Sequence, residues 1–187
     1  MPMEVEGPHP GKPQESAPGP AITSVRIGEI KNDAMRTLYA YWRGSAPEGR
    51  ALRREQLELE RIAPHLSRVL LAEVVDGGRD LVVRIAGEEI ESRFGGSMRG
   101  LQLSTLFKNL PPSATTRQWF DIIADLRPRY RRGPIPYAHD RYFYSERLLL
   151  PLFDADEAVS HVLCAAFHSS APPGDSFAPV IDAIVVD

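Results

Sequence analysis

Residues 68–107 read RVLLAEVVDGGRDLVVRIAGEEIESRFGGSMRGLQLSTLF. This stretch contains two apolar runs, Val69–Val75 and residues 81–85, separated by Asp76–Gly78. Because Asp-Gly adopts the positive φ values of a tight turn whose twist matches that of its strands, the pattern predicts a β-hairpin.

The second apolar run has the alternation of a half-buried strand. Leu81, Val83 and Ile85 are two residues apart, so they are expected to share one face of the sheet. Arg84 is expected to point to the other face.

A short helix is predicted directly after the hairpin, over residues 87–94. Ile90 and Phe94 are four residues apart and share a helix face. Gly95-Gly96 is expected to end the helix, because glycine takes the left-handed C-cap conformation without penalty. A further apolar segment follows at residues 101–107. Together these elements indicate a small α+β domain.

The composition limits the possible classes of protein. The chain has 187 residues, 43% of them hydrophobic, which is enough for one ordinary core. The net charge of −3 provides no overall basic field for binding nucleic acid, and one cysteine cannot form an intramolecular disulfide. No window approaches the roughly 20 apolar residues of a membrane span, and the N-terminus lacks the pattern of a signal peptide. A cytoplasmic, single-domain protein is expected, with no nucleic-acid or membrane partner.

Residues 1–21 are crowded with proline and glycine, so they are predicted to form a disordered tail, followed by an extended arm at 22–32. A helix is predicted over residues 33–43. Its apolar residues Met35, Leu38, Tyr39 and Trp42 form one continuous stripe.

Two interpretations of this stripe are open. It either packs on the core of its own domain or forms an interface, and exposed aromatic residues are enriched at interfaces. We expect a homodimer or a partner complex that uses Leu38, Tyr39 and Trp42.

Two further helices are predicted. Residues 52–62 have a charged helical pattern with a thin apolar edge, and Pro64 is expected to stop it. A long helix should run to about residue 126, with one buried face formed by Trp119, Ile122, Ile123 and Leu126.

The basic segment RPRYRRG, residues 127–133, is interpreted as a solvated loop between helix and strand. Contact with phosphate is the alternative, but four arginines in an acidic chain do not favour it. A second antiparallel hairpin is predicted from strands at 142–153 and 158–168, with a short edge strand at 134–137. Residues 169–187 are expected to form a tail or an extra strand or helix.

No metal or catalytic site is predicted. His161, Cys164 and His168 are the residues of metal-ligand type that cluster in the sequence. On a strand, His161 and Cys164 point to opposite faces, so they cannot bind one ion together.

Several short motifs resemble those of a PAS domain, and more closely those of the stand-alone PAS-like family widespread in alphaproteobacteria. The motifs are Tyr41-Trp42 in the first helix, the strand end Arg84-Ile85-Ala86-Gly87, the run Met98-Arg99-Gly100-Leu101, and the strand segment LLLPL at 148–152. The resemblance covers roughly residues 33–168. It implies a five-stranded antiparallel sheet covered on one face by short helices and the long helix, with the N-terminal helix in addition.

The resemblance also implies a function. Such domains are regulatory sensors or adaptors that bind small ligands or proteins and perform no chemistry. The long helix carries no histidine that would ligate heme, and the first helical segment carries no cysteine that would react with flavin. Neither cofactor is therefore expected.

A ligand pocket, if present, should lie between the sheet and the helices. Its expected walls are Val83, Ile85, Ile90, Phe94, Leu106, Trp119, Ile123, Leu150 and Phe167. The alternative function is a small lipid or hydrophobic-ligand carrier, or a small enzyme, that uses the concave face of the same sheet.

Overall fold

One sheet organises the part of the chain that the computed structural model describes, which is residues 23–45, 52–108, 114–134, 144–170 and 181–187. Its seven strands are β1 (Thr23–Arg26), β2 (Val69–Val75), β3 (Asp80–Ala86), β4 (Arg129–Pro134), β5 (Tyr144–Phe153), β6 (Val159–Ser169) and β7 (Ile181–Val186). The spatial order is β1-β7-β4-β5-β6-β2-β3. β1 is parallel to β7, and the other neighbouring pairs are antiparallel. The expected five-stranded antiparallel sheet is therefore corrected to a seven-stranded mixed one.

Four α-helices are present in the same ranges: α1 (Asp33–Gly44), α2 (Glu88–Phe94), α3 (Leu103–Phe107) and α4 (Ala114–Asp125). The stretch predicted as a charged helix at 52–62 instead forms 3-10 turns at Arg54–Gln56 and Leu59–Arg68. Pro64 lies inside the second of these. None of the helices described is long and apolar enough to cross a membrane.

The predicted β2–β3 hairpin is confirmed, with Val75 paired to Asp80 at its closed end. Its connection includes three consecutive residues with positive φ, Asp76 (53°), Gly77 (65°) and Gly78 (89°). The outer edge of β3 is covered by the following loop, because Val83 N donates to Leu101 O at 3.0 Å and Gly100 N donates to Val83 O at 2.8 Å.

An irregularity in this hairpin changes which face one residue occupies. Leu71 pairs with Ile85, but the next residue, Ala72, pairs with Val83, so Arg84 is left without a partner of its own. An extra residue of this kind reverses the alternation of a strand. Leu81 and Val83 consequently face one core, whereas Ile85 packs against the other.

The sheet separates two hydrophobic cores. One contains residues of α1 and of the 3-10 segments, and the other contains residues of α2, α3 and α4. We call these the α1 side and the α4 side. Helices therefore cover both faces, and the expectation that they cover one face is corrected.

The stripe on α1 packs on the domain's own core. Leu38, Tyr39 and Trp42 are all buried on the α1 side, and the Trp42 indole N–H donates to the Pro151 carbonyl at 2.7 Å. The prediction that these three side chains form an interface with another chain is therefore wrong, because the chain's own sheet already covers them.

The basic segment is also different from its prediction. Residues 129–134 form strand β4, and Arg129, Tyr130 and Arg131 are buried rather than solvated. On one side β4 pairs with β5, and on the other with β7. The expected extended arm contributes β1, and the C-terminal segment contributes β7. The predicted tail at 1–21 lies outside the described residues, as does the predicted edge strand at 134–137 apart from Pro134.

Candidate functional site

A cavity of about 50 Å³ lies on the α4 side, between the helices and the sheet. Its walls come from β2, β5, β6, all three helices on that side and the loop after α2. They are formed by Leu70, Ile90, Phe94, Met98, Leu103, Leu106, Phe107, Trp119, Arg147, Cys164, Ala166 and His168. Most of the lining is apolar, with a few polar groups, which is the usual composition of a small-molecule site.

The helical walls of the cavity are fixed by local hydrogen bonds. Gly95 ends α2 in the left-handed conformation, with φ of 78°. The Glu91 carboxylate then accepts hydrogen bonds from Met98 N at 2.9 Å and from the Ser97 hydroxyl at 3.0 Å. These contacts turn the chain back and place Met98 in the wall.

Helix α3 is anchored to the sheet through Asp80, which is buried at the start of β3. One oxygen of its carboxylate accepts the Ser104 hydroxyl at 2.5 Å, and the other accepts Ser104 N at 3.2 Å. This attachment holds the first turn of α3 against the hairpin, so Leu103 and Leu106 face the cavity.

A polar network lies behind one wall. Arg147 is 7% exposed, and its Nη2 donates to Gln118 Oε1 at 2.9 Å. The amide nitrogen of Gln118 donates in turn to Asp182 Oδ1, which places β7 in the same network. The Arg147 guanidinium carbon also lies 5.7 Å from the centre of the Trp119 ring, within the range of a cation–π interaction.

Trp119 contributes a buried hydrogen-bond donor. Its side chain is 3% exposed, and its indole nitrogen has no hydrogen-bond partner among the described residues. A buried donor without an acceptor costs free energy. Trp119 therefore provides an N–H group for which a bound molecule can supply the acceptor.

The titratable groups in β6 have shifted pKa values. Burial lowers the pKa of His168 to about 4, and the nearby positive charges of Arg93 and Arg147 act in the same direction, against the charge of Glu89. Burial raises the pKa of the Cys164 thiol to about 12, although Arg147 opposes this. At neutral pH the imidazole is uncharged and the thiol is protonated.

Four of the nine residues predicted to form the pocket line this cavity: Ile90, Phe94, Leu106 and Trp119. Two more, Val83 and Ile123, belong to the α4-side core but are not among the residues that line the cavity. Leu126, predicted on the buried face of α4, lies beyond the end of the helix with φ of 62° and is 46% exposed.

The other three predicted walls lie on the opposite side of the sheet. Ile85, Leu150 and Phe167 belong to the α1-side core, so their assignment to the pocket is corrected. The bulge at Arg84 reverses the face of Ile85. For Leu150 and Phe167 the neighbouring positions face the cavity side, because successive strand residues point to opposite faces.

The alternation of β5 and β6 identifies the residues that the sequence prediction missed. Leu149 pairs with Cys164, and both belong to the α4-side core. Positions 164, 166 and 168 therefore share the cavity face, and Arg147 is on the same face of β5. The sequence contains this information, because side chains of a strand alternate between the two faces of the sheet. Steps of two from Cys164 select the residues on the cavity side, whereas steps of two from Phe167 select those on the opposite side.

The segment with the metal-ligand residue types is strand β6, in agreement with its prediction. Within the described residues no group of three or more His, Cys, Asp or Glu side chains is arranged to bind a metal ion.

Comparison with known proteins identifies the family. No curated protein matches the chain. Five chains of known structure do match it. One is the sensory box sensor histidine kinase from Vibrio cholerae, which has 18% sequence identity and a TM-score of 0.42, with 59% of this chain and 87% of that chain covered. A family model described as a PAS domain matches residues 30–166, which include helices α1 to α4, strands β2 to β5 and most of β6. The chain belongs to the PAS domain family.

Proposed function

We propose that this PAS domain is a regulatory sensor that binds a small molecule in the α4-side cavity and transmits the result to a protein partner. The observation that carries the proposal is the lining of the cavity. Its apolar walls converge on a guanidinium, from Arg147, and on the Trp119 side chain, whose N–H is buried without a described acceptor. Apolar walls with a few placed polar groups are the usual form of a ligand site.

The elements around the cavity could transmit the effect of a bound ligand to the protein surface. Phe94 lines the cavity at the end of α2, yet its side chain is 38% exposed. Leu101 follows in the loop that covers β3 and is 39% exposed. A ligand that displaces Phe94 would change this exposed apolar surface, which is the proposed contact with a partner or a second copy of the chain.

The size of the cavity favours a small ligand over a large cofactor. An apolar cavity of about 150 Å³ accommodates benzene, whereas this one measures about 50 Å³. Neither heme nor flavin is part of the proposal, and a carrier of long lipid chains is less favoured for the same reason. A catalytic role is not proposed either, because the Cys164 thiol, with a pKa of about 12, is not a nucleophile at neutral pH.

Filling the cavity tests the proposal. Ala166 lines the cavity, and in Ala166→Leu a larger side chain would occupy it. A low-molecular-mass fraction of a bacterial cell extract is expected to raise the free energy of unfolding of the wild type, by about 2.7 kcal/mol when the ligand is present at about 100 times its Kd. The measurement is denaturant unfolding with and without the fraction.

Ala166→Ser is the matched control, since it leaves the cavity open and should be stabilised like the wild type. The extract should not raise the free energy of unfolding of Ala166→Leu. Equal stabilisation of Ala166→Leu and wild type would show that the ligand binds elsewhere, and no stabilisation of any variant would contradict the sensor proposal.

A further inference from the structure

We infer that the ligand of this cavity is a small uncharged molecule with a hydrogen-bond acceptor, such as a carbonyl oxygen, and that the Trp119 indole N–H recognises this acceptor. The inference rests on the proposed function of the cavity as a ligand site. It adds the chemical class of the ligand and the residue that selects it.

The first argument is the hydrogen-bonding state of Trp119. Its side chain is 3% exposed and forms part of the cavity wall. The indole nitrogen is buried and has no acceptor among the described residues, whereas that of Trp42 donates to the Pro151 carbonyl at 2.7 Å. Because an indole N–H is a donor only, a bound molecule can satisfy Trp119 only if it carries an acceptor.

The second argument is the behaviour of two ionisable groups in the wall. Cys164 and His168 both line the cavity, and one is an acid whereas the other is a base. Burial raises the pKa of the Cys164 thiol to about 12. Burial is also the largest cause of the fall in the His168 pKa to about 4, ahead of the charges of Arg93 and Arg147. Both groups are therefore uncharged at neutral pH, and an ionised ligand would meet the same penalty for burial.

The guanidinium of Arg147 also lines the cavity, but the protein itself supplies partners for it. Its Nη2 donates to Gln118 Oε1 at 2.9 Å, and its carbon lies 5.7 Å from the centre of the Trp119 ring. Gln118 donates in turn to Asp182, whose carboxylate belongs to the same network. The wall therefore does not require an anionic ligand to satisfy its charged residue.

The apolar remainder of the wall and the volume limit the size of the ligand. Ile90, Met98, Leu103 and Phe107 are among the apolar residues of the lining. A volume of about 50 Å³, against about 150 Å³ for a benzene site, fits a molecule of roughly three or four non-hydrogen atoms. Acetone is a simple probe with this size and chemistry.

Acetone, isobutene and acetate have nearly the same shape and together test the inference. Acetone has a carbonyl acceptor and no charge, isobutene replaces the oxygen by a methylene group, and acetate adds a negative charge. Met98 lines the cavity, whereas Met35 is buried in the α1-side core and serves as the internal control. In protein labelled with ¹³C at its methionine methyl groups, acetone should shift the Met98 signal saturably and leave that of Met35 unchanged. Acetate should shift neither signal.

Trp119→Phe removes the donor and keeps an aromatic ring. Because acetone and isobutene differ in hydration, each probe is compared between the two proteins. The affinity for acetone should fall by about 5- to 100-fold in Trp119→Phe, whereas the affinity for isobutene should change by less than about twofold. Trp42→Phe is the matched control and should bind acetone like the wild type.

The wild type alone decides the question if Trp119→Phe does not fold. In ¹⁵N-labelled protein, acetone should move the indole proton resonance of Trp119 downfield, as a new hydrogen bond does, and isobutene should not. The indole resonance of Trp42, which is already bonded to Pro151, should not respond to either probe.

Three results would overturn the inference. If Trp119→Phe binds acetone as well as the wild type does, or loses affinity for acetone and isobutene equally, the N–H does not recognise the ligand, although the cavity is still a ligand site. Acetate that binds as tightly as acetone would show that the site does not select an uncharged molecule. If none of the probes moves the Met98 signal, the assigned class is wrong, and the extract experiment with Ala166→Leu separately decides whether the sensor proposal also fails.

Discussion

The Arg147 guanidinium carbon lies 5.7 Å from the centre of the Trp119 ring, and this contact joins strand β5 to helix α4 across the wall of the cavity. Both side chains are buried, and both line the same space. A molecule in the proposed site that displaced one of these side chains would therefore also disturb its contact with the other. Because α4 also carries Gln118, which is bonded to Arg147 and Asp182, such a change would reach β7 as well.

The two tryptophans should respond differently to replacement by phenylalanine. Trp42→Phe removes the donor to the buried Pro151 carbonyl, whereas Trp119→Phe removes a donor that has no described acceptor. An acceptor left unsatisfied costs about 1–3 kcal/mol, so Trp42→Phe should lose about that much more free energy of unfolding than Trp119→Phe. Urea unfolding measures both. Equal losses would mean that the Trp119 N–H has a partner in the unliganded protein.

Gly87 is expected to tolerate no side chain. A Cβ at this position would lie 2.1 Å from the Leu66 carbonyl oxygen and 2.4 Å from atoms of the Ser67 backbone. Gly87→Ala should therefore lower the free energy of unfolding by about 3 kcal/mol or more, through displacement of α2 from the preceding 3-10 segment.

Gly96 provides the control for this substitution, because a Cβ there would meet no atom within 4 Å. Gly96→Ala should change stability by less than about 0.5 kcal/mol. A Gly87→Ala protein as stable as Gly96→Ala would show that the contact between α2 and the 3-10 segment is not tight.

The half-buried imidazole of His168 predicts an acid-sensitive stability. Burial and the charges of Arg93 and Arg147 lower its pKa from 6.5 to about 4, with Glu89 opposing. Between these two values the unfolded chain binds a proton that the folded chain does not. The contribution to stability is therefore complete above pH 6.5, falls as the pH is lowered, and is lost by about pH 4.

His168→Gln removes this titration. The free energy of unfolding of the wild type should fall more steeply between pH 6.5 and 4.5 than that of the variant, by an amount of the order of 2 kcal/mol. Chemical unfolding at a series of pH values measures the difference. Parallel curves for the two proteins would mean that His168 titrates normally in the folded state.

Strand β7 is expected to be part of the stable fold, although it lies outside the residues matched by the PAS family model. Ala183 and Val185 are buried, and Asp182 accepts the amide of Gln118. In a variant that ends at Ser170, β4 would become an unpaired edge strand and apolar surface would be exposed. Its free energy of unfolding should therefore be lower than that of the wild type by at least about 3 kcal/mol.

Asp187→Ala is the matched control for this truncation. It keeps β7 and removes only the exposed carboxylate that accepts from Tyr39 and Arg43. Asp187→Ala should lower the free energy of unfolding by less than about 1 kcal/mol. A truncated protein with the stability of Asp187→Ala would show that β7 contributes little.

Much of the α+β character could be predicted from local patterns in the sequence. The Asp76-Gly77 turn and its flanking apolar runs predicted the β2–β3 hairpin, because turn chemistry and period-two alternation are both local. The stripe on α1 predicted a buried helix face, but its periodicity contains no information about which surface covers it. For this reason Trp42 was open to assignment as either core or interface.

The remaining differences arise from contacts that are distant in sequence. Arg129 and Arg131 indicate a solvated loop when considered locally, yet β4 is buried because α4 and β7 pack around it. Likewise, the bulge at Arg84 depends on how β3 pairs with β2, and it moved Ile85 to the other core. Cavity residues such as Arg147 were missed because the face of β5 was assigned from its apolar run alone.

Native mass spectrometry of the protein after incubation with the low-molecular-mass extract tests the central claim most directly. We expect one small molecule bound per chain in the wild type and in Ala166→Ser. Ala166→Leu should remain unliganded. An unliganded wild type, or a molecule that stays bound to Ala166→Leu, would contradict the assignment of this cavity as the sensor site.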